Sequence, residues 1–90
     1  MKLNKYEFAL LNIINEYNNG NGIGTPTLDR LFYNKVEEIS DLKNVYDVRW
    51  IPLIENLTKL CLVERSPSGK GTIITSKGKS VLLNFRNTPV

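Results

Sequence analysis

Apolar positions recur at helical spacing in four stretches of the chain. Between the third and fourth stretches β-branched residues take over and the pattern becomes that of strands. From Asn4 to Tyr17 the repeat is Tyr6, Leu10, Ile13, Ile14 and Tyr17, widened by Phe8, Ala9 and Leu11. This predicts a first helix, with Asn4 as N-cap and Glu7 three residues on as in a capping box. Its apolar face is wide for a small core. The surplus either stays inside the chain or covers a second subunit, and the pattern leaves both open.

Asn18 to Gly24, NNGNGIG, is turn chemistry that stops the helix. Ile23 is expected in a very short strand beside a later hairpin. Thr25-Pro26 opens a second helix, with Thr25 as cap and Pro26 at the first helical position. Leu28, Leu31 and Phe32 are its buried stripe. Val36 to Asn44 is polar and acidic, and either prolongs this helix or makes an extra turn. The third helix is expected over about Tyr46 to Cys61. Trp50, Ile54, Leu57 and Cys61 turn to the core, flanked by Leu53 and Leu60. A start at Val48, with Asp47 as cap, sets Pro52 just past the free first turn and invites a kink. A start near Trp50 leaves Pro52 comfortable and makes Tyr46 to Arg49 a lead-in loop. The pattern permits both.

Leu62 to Ser66 and Thr72 to Thr75 read as short strands around Pro67-Ser68-Gly69-Lys70-Gly71. Thr75 or Ser76 then caps a last helix with Val81, Leu82, Leu83 and Phe85 on its apolar side. Arg86 to Val90 is expected to fray. Ninety residues make one domain, 1–90, with modest burial and marginal stability, which association with a second copy would relieve.

Composition narrows the chemistry. The sequence has no histidine and one cysteine. Histidine-based triads, histidine metal sites and thiolate zinc clusters are excluded. The acidic residues are scattered, so no paired-carboxylate site stands out, and neither catalysis nor a cofactor is expected. Ser76-Lys77-Gly78-Lys79-Ser80 lacks the first glycine of a phosphate loop, because position 73 is Ile. The glycines of 18–24 lack a preceding strand and a lysine. Asn56-Leu57-Thr58 fits a glycosylation sequon only by chance, on a helix in a chain with no signal sequence. No apolar run approaches the roughly 20 residues of a membrane helix. The charged start, MKLNKYEF, lacks a secretory core. With a lone cysteine, a reducing cytoplasmic setting is expected.

Charge is uneven. Residues 1–44 carry net −1 and residues 45–90 net +4; from Lys59 to Arg86 Glu64 is the only acid among six basic residues. A field on the C-terminal half suits a phosphate-rich partner. The outer face of the third helix offers Tyr46, Arg49, Pro52 or Leu53, and Asn56. Arginine forks to guanine and asparagine pairs with adenine, so Tyr46, Arg49 and Asn56 are candidate base readers. Thr25 and Thr27 at a helix start, with Lys59, Arg65, Lys70 and Lys77, are candidate phosphate or minor-groove contacts. Trp50 is expected in the core.

The run Glu55-Asn56-Leu57-Thr58-Lys59-Leu60-Cys61-Leu62-Val63-Glu64-Arg65 resembles the end of the recognition helix and start of the wing in MarR- and PadR-type winged-helix regulators. Thr75-Ser76-Lys77-Gly78-Lys79 resembles the T-x-K-G-K that follows the wing there. The resemblance covers about residues 50–85. It implies a mostly α, α+β fold, a winged helix-turn-helix. That fold has a three-helix core, a recognition helix at about 46–61, a β-hairpin wing at 62–75 and a C-terminal helix. It implies a small transcriptional regulator that binds specific double-stranded DNA as a homodimer. The dimer would close through Leu10, Ile14, Tyr17, Leu82 and Phe85.

Cys61 stands where the family usually has glycine, the segment before Trp50 is longer than usual, and the wing is short. The long dimerisation helices are missing, so no small-molecule effector is supported. Cys61 is expected to be a small buried residue; facing outward, it would be a redox handle. The rival expectation is a winged helix that contacts protein in a replication or transcription complex.

Overall fold

The structure, a computed structural model, describes residues 3–17, 22–41, 43–67, 69 and 71–87, the side chains of 85–87 excepted. Among them are four α-helices and one antiparallel hairpin: α1 (Lys5–Glu16), α2 (Thr25–Ile39), α3 (Trp50–Lys59), β1 (Val63–Arg65), β2 (Thr72–Ile74) and α4 (Ser76–Asn87). The protein is thus small, mostly helical and α+β.

Helix α1 begins as its sequence dictates. The Asn4 side chain accepts from the Glu7 amide at 2.8 Å, and the Glu7 carboxylate accepts from the Asn4 amide at 3.0 Å. This capping box satisfies two of the free first-turn donors. Leu10, Leu11 and Ile14 on α1 are fully buried, and Ala9 and Ile13 nearly so. They meet Leu28, Phe32 and Val36 of α2, Leu57 of α3, and Leu62, Val63, Ile74 and Leu82 beyond it. A single core therefore absorbs almost the whole of the α1 face. The start of α1 is also pinned to the end of α2. The Lys5 ammonium donates to the Ile39 carbonyl at 3.2 Å, and the Tyr6 hydroxyl to Ser40 Oγ at 3.2 Å. A cation at a helix C-terminus satisfies an orphan carbonyl and opposes the negative end of the dipole.

Helix α2 differs at its first residue. Gly24 is the N-cap, Thr25 is already helical and makes no capping bond, and Pro26 is the second helical residue. The polar segment from Val36 on splits: its first four residues prolong α2 to Ile39, and a 3-10 turn follows at Val45–Asp47. Leu42 lies outside the described residues. Helix α3 starts at Trp50, not near Tyr46, and Asp47 belongs to the 3-10 turn; the N-cap is Arg49, without a side-chain bond. Pro52 is then in the first turn, where its missing N–H leaves no bond unmade.

Helix α3 closes with a Schellman arrangement. The Leu62 amide donates to the Leu57 carbonyl and the Cys61 amide to the Thr58 carbonyl, each at 3.0 Å. This requires a left-handed residue after the cap, and Cys61 has φ +62°. Cys61 is exposed, contrary to its expected burial. The reason is geometric: a left-handed residue turns the chain away from the helix axis, and Leu57 and Leu62 close beneath it, both fully buried.

The hairpin pairs Val63 with Ile74, Glu64 with Ile73 and Arg65 with Thr72. Ile23 pairs beside the hairpin as expected, through a single bridge to Thr72. Its amide donates to the Thr72 carbonyl at 2.9 Å, and the Thr72 amide donates back at 3.1 Å. Gly22 makes this approach possible: its φ is +83°, and a Cβ there would lie 2.9 Å from the Thr72 nitrogen. Thr75 caps α4, its hydroxyl accepting from the Gly78 amide at 3.0 Å and donating to the Cys61 carbonyl at 2.6 Å. No helix among the described residues is long and apolar enough to cross a membrane.

Candidate functional site

Three elements converge on one face. The start of α2, the length of α3 and the open side of the hairpin line a groove bounded by Thr25, Trp50, Ile54, Thr58, Glu64, Arg65 and Thr72. Beside it Thr25, Arg65, Gly69, Gly71 and Thr72 enclose a polar notch of about 110 Å³. The rung between Ile23 and Thr72 holds the hairpin against the turn that leads into α2. The start of α2 also presents the free Thr25 and Thr27 amides of a helix N-terminus.

Thr25 is exposed and Thr27 half-buried. Tyr46 (65% exposed) and Arg49 stand in the segment just before α3. Lys59 is exposed in the last turn of α3, and Lys77 in the first turn of α4. Arg65 ends β1 and donates to the Gly69 carbonyl at 3.3 Å, across the hairpin turn. Lys70 lies outside the described residues.

Asn56 departs from its expected role. Its amide donates to the buried carboxylate of Glu7, which already serves the α1 capping box. The bond joins α3 to α1 and occupies the Asn56 amide, although the residue itself stays exposed. Glu7 is only 6% exposed, and a carboxylate so buried requires such donors. The other exposed residues of α3 are Ile51, Pro52, Glu55, Thr58 and Lys59. Ile51 is 55% exposed, and Thr58 turns its hydroxyl back to the Ile54 carbonyl at 2.8 Å.

The expected dimer surface is largely spent. Leu10 and Ile14 are fully buried and Leu82 is 3% exposed, all within the single-chain core. Tyr17 is 47% exposed, and the side chain of Phe85 lies outside the described residues. Leu83, 60% exposed, is the accessible apolar residue of α4 among those described.

Two residues that the apolar pattern did not single out, Asp29 and Tyr33, stand one turn apart on α2. The Trp50 indole is half-buried, and its N–H donates to Asp29 Oδ1 at 2.8 Å, locking α3 to α2. Tyr33 packs against Tyr46 at 4.6 Å between ring centroids. Partial burial and the Asp29 carboxylate raise the Tyr33 phenol above its ordinary value, opposed by the Arg49 guanidinium. Their four-residue spacing puts Asp29 and Tyr33 on one helical face. Their partners at 46–50 come from a separate segment and leave no local signal.

No family model, curated protein or solved structure matches the chain.

Proposed function

We propose that the protein is a winged-helix domain that binds double-stranded DNA, with α3 as recognition helix and the hairpin as wing. One observation carries the reading: the α2 start, α3 and the hairpin, through Arg65 and its neighbour Glu64, border a single groove. Under it, Arg49 and Tyr46 meet base edges as α3 enters the major groove N-terminus first. Ile51 and Pro52 offer apolar contact to thymine methyls. Thr25, Thr27, Lys59, Arg65, Lys70 and Lys77 hold phosphates. Transcriptional regulation through a specific site is part of the proposal. Two copies would set their recognition helices roughly 34 Å apart. Among the described residues, Tyr17 and Leu83 offer exposed apolar side chains on α1's end and α4 to close such a dimer, whereas Leu10, Ile14 and Leu82 are buried.

A salt titration of binding to random duplex DNA tests the reading. Affinity should fall steeply with salt, and Arg65→Ala should flatten the slope by about one unit. Ile51, Pro52 and Glu55 on the outer face of α3 favour a second reading, a protein-contact module, since this patch is near neutral and partly apolar. Absence of duplex affinity at low salt selects that second reading.

A further inference from the structure

Where the 45–49 segment, α2 and the first turn of α3 meet, Asp29, Tyr33, Arg49, Trp50, Ile51 and Pro52 line a cavity of about 440 Å³. The volume falls within the range of about 300–1,000 Å³ usual for small-molecule sites. Its lining has two sides. Indole, phenol, Ile51 and Pro52 make an apolar and aromatic wall, which Tyr46 extends through its contact with Tyr33. Asp29 and Arg49 supply opposite charges. Asp29 Oδ1 is engaged by the indole, whereas its second oxygen has no protein partner among the described residues. The Arg49 guanidinium likewise has no hydrogen-bonded or ionic partner among them.

We infer that this cavity binds a nucleobase, with the ring against the aromatic wall, N–H donors on Asp29 and a carbonyl or phosphate on Arg49. The lining selects the ligand by three demands. An aromatic wall takes a planar ring on its face. A carboxylate takes donors, so the ligand needs N–H groups on one edge. An arginine fork takes oxygen acceptors, so a carbonyl or an anion must stand nearby. Guanine meets all three, with two adjacent N–H groups beside a carbonyl. Adenine lacks the carbonyl, and a simple aromatic acid lacks the donors. The base can come from a free nucleotide or from an unpaired position in a nucleic acid. Binding here does not depend on duplex recognition by the groove.

Trp50 is the only tryptophan of the chain, so its emission reports on the cavity directly. The experiment titrates the whole protein with guanosine monophosphate, adenosine monophosphate and ribose 5-phosphate while following Trp50 fluorescence. The expected result is a saturable change with the guanine nucleotide, a weaker one with the adenine nucleotide and none with the sugar phosphate. Asp29→Asn keeps an oxygen for the indole and removes the charge that receives the base. It should weaken guanine binding by about tenfold or more. Circular dichroism of the same variant checks that it remains folded. Arg49→Ala, away from the indole bond, should weaken binding as well. A single dG within an oligo-dT strand, compared with oligo-dT alone, separates the two sources. Tighter binding of the dG strand assigns the site to an unpaired base; equal binding assigns it to the free nucleotide. No saturable response to guanosine monophosphate in the millimolar range overturns the inference. So does an equal response to ribose 5-phosphate, or unchanged affinity in folded Asp29→Asn.

Discussion

Gly78 packs so closely on Leu62 that a Cβ atom there would overlap the Leu62 carbonyl oxygen and come within 2.7 Å of Ile74 Cγ1. The obstacle is backbone on one side and a core side chain on the other, so neither can yield cheaply. Ordinarily Gly→Ala inside a helix stabilises by removing unfolded-state freedom. Here overpacking outweighs that gain. Gly78→Ala is expected to destabilise by about 2 kcal/mol or more, read as a lowered urea midpoint. An unchanged midpoint would mean that α4 slides along the hairpin at little cost.

Cys61 presents the opposite case. Its φ of +62° places a side-chain-bearing residue in the left-handed region that ends α3. That conformation costs an L-residue about 1–2 kcal/mol. Glycine escapes the cost but gives back part of it as unfolded-state entropy. Cys61→Gly should therefore stabilise by roughly 0.5–1 kcal/mol, raising Tm by about 2–8 °C for a domain of this size. A fall in Tm would show that the cysteine side chain makes a contribution that the backbone does not reveal.

Much of the fold was legible because its signals are local. The Asn4 and Glu7 box and the Thr75 cap of α4 depend on neighbours three residues away. The start of α3 was ambiguous because the apolar repeat continues upstream through Val45 and Val48, which pack on the core from a 3-10 turn and the linker after it. Cys61 misled for a related reason. It sits at the right spacing for the core face, but a single left-handed residue, Cys61 itself, ends the helix and with it the period. Asn56 and Trp50 find their partners, Glu7 and Asp29, 49 and 21 residues away. Such pairs leave no periodic trace.

The bond from Trp50 to Asp29 ties the α3 start to α2, and truncating the acceptor strands the indole N–H. Asp29→Ala should cost about 1–3 kcal/mol, whereas Asp29→Asn, which still accepts, should cost markedly less. Equal losses in the two variants, measured by thermal unfolding, would assign the effect to charge and not to the hydrogen bond.

Tyr33 gives the alkaline limb of stability a definite sign. Its phenol is held above the ordinary value of 10.0, by burial first and the Asp29 carboxylate second. The unfolded chain therefore loses this proton before the folded one does. Between the unfolded and folded values the native state binds more protons, so stability falls as pH rises above about 10. Tyr33→Phe should flatten that decline. Arg49→Ala, which removes the one opposing charge named here, should push the phenol higher still, read as tyrosinate absorbance. A downward move on removing Arg49 contradicts the assignment.

Asn56 and Arg49 separate architecture from recognition. Both sit at the α3 end of the chemistry that suits DNA bases, yet Asn56 is engaged by Glu7 and Arg49 has no such partner among the described residues. Asn56→Ala removes a donor from a buried carboxylate and should lower stability by roughly 1–3 kcal/mol. At temperatures where the variant is folded, its duplex affinity should match that of the parent chain. Arg49→Ala should do the reverse, leaving the urea midpoint within about 0.5 kcal/mol, as for a surface site, while weakening duplex binding. Loss of affinity in folded Asn56→Ala would return that residue to the base-reading set. It would mean that the bond to Glu7 opens on DNA and that binding draws on the stability of the capping box.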